Sequence, residues 1–226
     1  DPYYSQYISR DLATATRTIQ GGTGFAIYPF NRYRRIELFG GFSRYQENYN
    51  DPAVAQVASQ YQQQQYGRQL FNNGTMMPVG AAFVQETTIF REFGPLSGST
   101  MRLSYAIAPK VGGFLSRQTF TGDARKYFRI GATGLFAVRA FGFKSQGSNP
   151  DFTYFGGNSE LRGYNYLSFI GQNAFHANAE LRFPLIEAMA TPIGVLGGVR
   201  ATLFAGVGRS EEHTSELQSR FGISYA

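Results

Sequence analysis

The feature that most constrains this chain is a period-two alternation of apolar and polar side chains, a spacing that a strand sorts onto two faces and a helix does not. In residues 174 to 183, Phe175, Ala177, Ala179, Leu181 and Phe183 fall on one face and His176, Asn178, Glu180 and Arg182 on the other. Residues 101 to 107 repeat it, with Met101, Leu103, Tyr105 and Ile107 against Arg102, Ser104 and Ala106. Residues 125 to 130 do the same, Phe128 and Ile130 opposing Arg125, Tyr127 and Arg129. Weaker versions place Ile36 and Leu38 against Glu37, and Val199, Ala201 and Leu203 against Arg200 and Thr202. Such segments are strands whose two faces meet different surroundings.

Composition agrees: 27 Gly, 15 Tyr and 21 Phe favour strands and turns. No run approaches the roughly 18 apolar residues of a membrane-spanning helix. The absence of cysteine excludes thiol catalysis, a disulfide scaffold and cysteine-ligated zinc. Eight strands are expected, near 11 to 28, 33 to 46, 79 to 92, 99 to 109, 116 to 131, 135 to 144, 173 to 184 and 196 to 208. They are longer than the roughly five or six residues of an average globular strand. Short connections such as Pro29-Phe30-Asn31 and Phe93 to Gly98 alternate with long polar ones at 47 to 78 and 145 to 172, as in transmembrane barrels. Aromatics gather near strand ends, as in Tyr28, Phe30 and Tyr33 and in Tyr127 and Phe128. The pattern therefore predicts an all-β, antiparallel transmembrane barrel rather than a soluble sandwich, whose strands also alternate. Segment 47 to 78, with glutamines at 62 to 65, reads as an exposed loop in preference to a short amphipathic helix at 52 to 66.

Residues 209 to 226, R-S-E-E-H-T-S-E-L-Q-S-R-F-G-I-S-Y-A, resemble a translated short-read sequencing adapter. The expectation is that native sequence stops near Gly208, so that 1 to 208 are barrel and 209 to 226 a foreign tail that packs on nothing specific. Without the tail the chain carries 19 basic and 12 acidic residues, a net charge of +7. The start, Asp1-Pro2-Tyr3-Tyr4, reads as the interior of a longer protein.

Catalytic chemistry finds little support. His176 is the one histidine before residue 209, and on a polar strand face it reads as a lumen-facing residue rather than the base of a triad. There is no G-x-S-x-G elbow and no phosphate-binding G-x-x-x-x-G-K. Gly21-Gly22-Thr23-Gly24 reads as a strand bend, and Asn73-Gly74-Thr75 fits a glycosylation sequon only formally. No enzyme, cofactor or metal site is expected. The basic residues are scattered along strands without forming a patch, so nucleic acid is not an expected partner either.

One segment carries a resemblance. Residues 151 to 166, D-F-T-Y-F-G-G-N-S-E-L-R-G-Y-N-Y, hold the pair Gly156-Gly157 and then Leu161-Arg162-Gly163-Tyr164, all between two strands. Asn178 to Leu185, N-A-E-L-R-F-P-L, follow. Upstream lie Gly122 to Phe128 and Leu135 to Arg139. This ordered set resembles the bacterial surface antigen family, the barrel domain of the BamA and TamA outer-membrane insertase superfamily, over roughly residues 100 to 208. The family carries a V/L-R-G-F/Y motif in its sixth extracellular loop, preceded by F-x-G-G.

The resemblance implies about eight strands, six to thirteen, of a sixteen-stranded barrel, to be seen here as an open curved sheet. It implies residence in a bacterial outer membrane, contact with its lipid, and assembly or translocation of unfolded outer-membrane protein substrates. A passive porin-like channel and the anchor of a fused propeller or lipase-like domain are the alternatives. Loop six folds back into the barrel in such proteins, so Arg162 is expected to point at the inner wall with Glu180 as its acceptor. Gly163 permits a tight or positive-φ backbone and Tyr164 packs beside it. One departure is visible: Phe204-Ala205-Gly206-Val207-Gly208 stands where the family often has F-x-D-x-G.

Overall fold

The computed structural model describes residues 15–67, 69, 71–91, 94–192, 194–211 and 216–225. Its elements are β1 (Ala15–Asn31), β2 (Arg34–Tyr49), α1 (Pro52–Tyr66), β3 (Gly74–Met76), β4 (Val79–Glu86), β5 (Ile89–Arg91) and β6 (Gly94–Ala108). They continue with β7 (Arg117–Ile130), β8 (Gly134–Gly147), β9 (Thr153–Phe155), β10 (Phe169–Gly171), β11 (Asn173–Thr191), β12 (Gly194–Glu211) and β13 (Glu216–Tyr225). The main sheet runs β1-β2-β4-β6-β7-β8-β11-β12-β13, with β3 on β2 and β5 on β6; β9 and β10 form a separate hairpin. β1 and β13 lie at opposite edges, and the antiparallel sheet is open and curved.

Register converts the alternation into two faces. Arg35, Val84, Arg102, Asp123, Phe141, His176 and Gly208 are successive partners across seven strands and share one face, here called inner. The outer face presents Leu38, Phe42, Leu103, Tyr105, Phe120, Phe128, Ile130 and Phe175, all exposed. An apolar belt of this breadth, uncovered by the described residues, is the opposite of what a water-facing sheet presents.

The two rims differ. Strands meet through short turns at one end, and at the other through segments 50–78, 109–116 and 148–172. The long segments are stitched together: Asn72 exchanges hydrogen bonds with Asn149, Leu115 N donates to Thr75 O at 2.8 Å, and Ser116 N donates to Ser148 Oγ at 2.8 Å. Beneath them Met76, Ala108 and Leu115 form a small buried cluster against Tyr45. The formal sequon residue Asn73 accepts from Glu47 N at 2.7 Å, tying the segment back to β2.

Four expectations change. Residues 52–66 are a helix, not a loop: Asp51 Oδ1 caps Ala53 N at 2.8 Å, Pro52 starts the first turn, and Gly67, at φ +65°, closes the last. Its caps rather than an apolar stripe define it. Residues 216–225 do not lie free but pair with β12 from Ala201↔Tyr225 to Ser210↔Glu216. The edge of β12 offers unpaired backbone groups, and the tail's own alternation sets Phe221 and Ile223 opposite Ala205 and Leu203, in step with that edge. Gly94 to Gly98 open β6, and Pro29 to Asn31 close β1, instead of forming turns. Finally, Gly21 to Gly24 make no bend; they lie in unbroken register inside β1 opposite Gly40 to Ser43.

Those glycines serve a close approach of two backbones. A Cβ at Gly41 would collide with the carbonyl oxygen of Gly22 and come 2.9 Å from the Cα of Thr23. Gly41→Ala is therefore expected to loosen β1 from β2, read as lost amide-exchange protection over residues 19–24 with β7 and β8 unchanged; uniform protection would disprove the close contact.

Candidate functional site

The site is built by segment 148–172, which leaves β8, crosses the inner face and returns as β11. Its own hairpin, β9 with β10, pairs Phe155 with Phe169, and Gly157 bridges Leu161. Within the turn, Glu160 N and Leu161 N both donate to Gly157 O, at 3.3 and 3.0 Å, and Glu160 Oε2 accepts from Gly156 N at 2.9 Å. Gly156, Gly157 and Gly163 have φ of +136°, +82° and +87°, which explains the glycines at these three positions.

The turn presents its carbonyl oxygens to the wall, and donors on and beside the wall take them in order. Arg162 Nε donates to Asn158 O at 3.1 Å, Arg139 Nη1 to Ser159 O at 3.1 Å, and Asn178 Nδ2 to Glu160 O. Three consecutive carbonyls are thereby satisfied, two of them by charged donors, where an unpaired one would cost about 1–3 kcal/mol.

Leu161 is fully buried, at 0% exposure. It enters a socket on β12 left by two missing side chains: Cβ atoms built at Gly206 and Gly208 would stand 3.0 and 3.1 Å from its methyl carbons. Phe155 and Ala174 complete the cluster, with Tyr164 and Phe169 packed against it. Rings continue inward: Phe169 stacks on Phe155 at 5.0 Å, Phe155 on His176 at 5.3 Å, and His176 on Phe141 at 4.9 Å. His176 thus serves as a ring between loop and sheet.

Arg162 lies where loop and wall meet. Its Nη2 is 3.4 Å from Glu180 Oε1, and its guanidinium lies 5.4 Å from the ring centre of Phe204 on β12. Arg182, two residues along β11 from Glu180, binds the same carboxylate through Nε and Nη2 at 2.9 and 2.6 Å. Asp123 and Arg139 stand alongside, bonded through two N–H···O contacts at 3.1 and 2.8 Å.

No family model and no curated protein matches the chain. Among solved structures, BamA from Haemophilus ducreyi, determined without POTRA domains 1–3, superposes with a TM-score of 0.64 at 13% identity. The fold is that of a BamA-like barrel. The alignment covers 86% of this chain and 42% of that one, so the chain spans less than half the length of the BamA structure it matches. In this BamA-like sheet Gly156, Gly157, Leu161, Arg162, Gly163, Tyr164 and Glu180 all lie in one neighbourhood on the inner face.

Sequence reasoning missed Arg139, Phe155 and the socket glycines as parts of the site. Arg139 carried a readable signal, since register places it beside Asn178 on the polar face. The socket did not, because a glycine in a strand does not announce what fills its space. Among the described residues no three His, Asp or Glu side chains converge as metal ligands would.

Two substitutions test the arrangement. Leu161→Ala should destabilise the loop by about 2–5 kcal/mol, seen as earlier proteolysis between residues 148 and 172. Arg162→Ala and Glu180→Ala should be non-additive by about 1–2 kcal/mol in a double-mutant cycle, the figure kept low because both groups retain some solvent. Additive losses would dissolve the pairing.

Proposed function

We propose that residues 1–208 belong to an outer-membrane β-barrel of the surface antigen type, and that the barrel assists insertion or translocation of other outer-membrane proteins. In this reading residues 209–226 are foreign. The observation that carries it is the inward loop: segment 148–172 lies on the inner face, anchored by Leu161 in the β12 socket and by Arg162 between Glu180 and Phe204. A loop fixed across the inner face obstructs a pore and braces the wall, which suits a scaffold or gate better than a passive channel. The exposed apolar belt supports the membrane part of the reading, since lipid is the solvent in which it costs nothing. The sequence resemblance supplies the class of substrate, unfolded outer-membrane protein. No chemical step is required of the barrel; its residues hold shape while backbone hydrogen bonds form in an incoming strand.

The decisive experiment places the intact protein in liposomes with a urea-denatured outer-membrane barrel and follows folding by protease resistance. Faster folding than in empty liposomes, slowed by Leu161→Ala, is the expected result. No acceleration together with a steady ohmic conductance would make the protein a channel instead. The membrane placement has its own test: Leu103→Arg on the outer face should cost about 2–4 kcal/mol in a bilayer if the position is near the midplane, whereas a solvent-facing strand would tolerate it within about 0.5 kcal/mol.

A further inference from the structure

The inner wall repeats one ionic unit three times. Glu37 is held by Arg35 at 2.7 Å and by Arg102 at 2.6 Å. Asp123 is held by Arg125 and Arg139, both at 2.8 Å. Glu180 is held by Arg182 at 2.6 Å and by Arg162 at 3.4 Å. In each case one arginine comes from the carboxylate's own strand, two residues away and on the same face, and the second from a different element. One carboxylate cannot neutralise two guanidiniums, so every unit carries an excess positive charge.

The second and third units border a single cavity of about 110 Å³, open on one side. Arg125, Tyr127, Arg139, Ser159, Glu180 and Arg182 contribute to its lining. Three guanidiniums and one carboxylate line it, a local excess of two positive charges, and Asp123 and Arg162 complete the two ionic units behind the lining. Arg139 and Arg162 are committed to the loop carbonyls as well as to their carboxylates. Arg125 and Arg182 are the more open arms: each uses Nε and one terminal nitrogen on its carboxylate, Arg125 also meets the side chain of Tyr127, and their side chains are 41% and 33% exposed. A guanidinium carries five N–H donors, so each arm has N–H groups beyond those its carboxylate takes. Water is the weaker occupant for such a place, because the planar fork of arginine matches a carboxylate or phosphate edge.

We propose that this cavity is an oxyanion-binding site on the inner wall, in which Arg125 and Arg182 grip a carboxylate or phosphate from two sides. The excess charge gives the ligand its sign, and the two arms, on β7 and β11 with β8 between them, give it an orientation. The carboxylate source that fits the geometry is an acidic side chain of an extended polypeptide lying along the inner face; a free phosphate offers the same oxygens. The site stands on the arrangement of charges alone and holds whether or not the barrel folds other proteins.

The test is calorimetric titration of the full chain in detergent micelles with two probes: inorganic phosphate, and a blocked Glu-Thr-Glu tripeptide compared with its Gln-Thr-Gln counterpart. Saturable binding of either anion, weakened by added salt, is expected, and the Gln-Thr-Gln peptide should be silent. Arg125→Gln with Arg182→Gln should weaken binding by about tenfold to a hundredfold, and Arg35→Gln, in the remote unit, should leave it unchanged. Should the glutamine pair fail to fold, Arg125→Lys with Arg182→Lys keeps the charge but loses the fork, and should weaken binding by about tenfold. Tighter binding of the peptide than of phosphate identifies a polypeptide carboxylate as the source, and the reverse order identifies a small oxyanion; both uphold the site. Absence of saturable binding to either probe, or binding that none of the arginine substitutions alters, overturns it.

Discussion

The fastening of one turn to one wall is the interaction on which the rest of the inner face depends. A loop that crosses a partly desolvated surface must satisfy its backbone, and here the carbonyls of Asn158, Ser159 and Glu160 are met by Arg162, Arg139 and Asn178. The donors are themselves held: Arg139 by Asp123, Arg162 by Glu180. Burial of Leu161 then supplies a non-directional pull toward β12, while the hydrogen bonds set the register of the turn. Neither suffices alone. Apolar burial without the donors would leave three carbonyls dry, and the donors without the socket would hold the turn at a distance.

Most of the sheet was legible in the sequence because burial on one face leaves a period-two record. Phe175 to Phe183 named both the strand and its outer face, and the strands lie where alternation places them, most of them lengthened at an end, with β7 one residue shorter at each end, the expected strand 79 to 92 divided into β4 and β5, and residues 11–14 and 92 outside the described residues. What alternation does not record is a short element set by its caps. Asp51-Pro52 and Gly67 bracket α1, yet the intervening glutamines carry little apolar pattern, so a loop was the natural expectation. The tail failed for a different reason. A strand edge accepts any backbone, and Phe221 and Ile223 stand opposite Ala205 and Leu203 by the same alternation that defines the other strands.

The site was half legible. The motif residues came from the resemblance of Leu161-Arg162-Gly163-Tyr164 to a known loop motif, and Glu180 was named because an inward guanidinium on a partly desolvated face requires an acceptor. Arg139 was passed over because it belongs to a strand, although its function is to hold the loop. His176 shows the limit of reading a residue by type. A histidine on the polar face invites a reading as proton chemistry, yet His176 is buried at 1% exposure between Phe141 and Phe155, where an aromatic ring is what the space requires.

Gly206 leaves the space that Leu161 fills. An aspartate at that position would place its side chain in the volume that Leu161 occupies, since even a bare Cβ there comes within 3.0 Å of a Leu161 methyl and of Asn178 Oδ1. An acid at 206 therefore requires Leu161 and Asn178 to shift from where they stand. With glycine in place Leu161 packs directly on β12, and the anion beside Arg162 comes from the neighbouring strand, through Glu180. The guanidinium keeps its aromatic neighbour, because Phe204 is Glu180's register partner and lies on the same face. The glycine at 206 and the buried leucine at 161 thus depend on each other, and an acid introduced at 206 without shortening Leu161 would strain the turn rather than strengthen it.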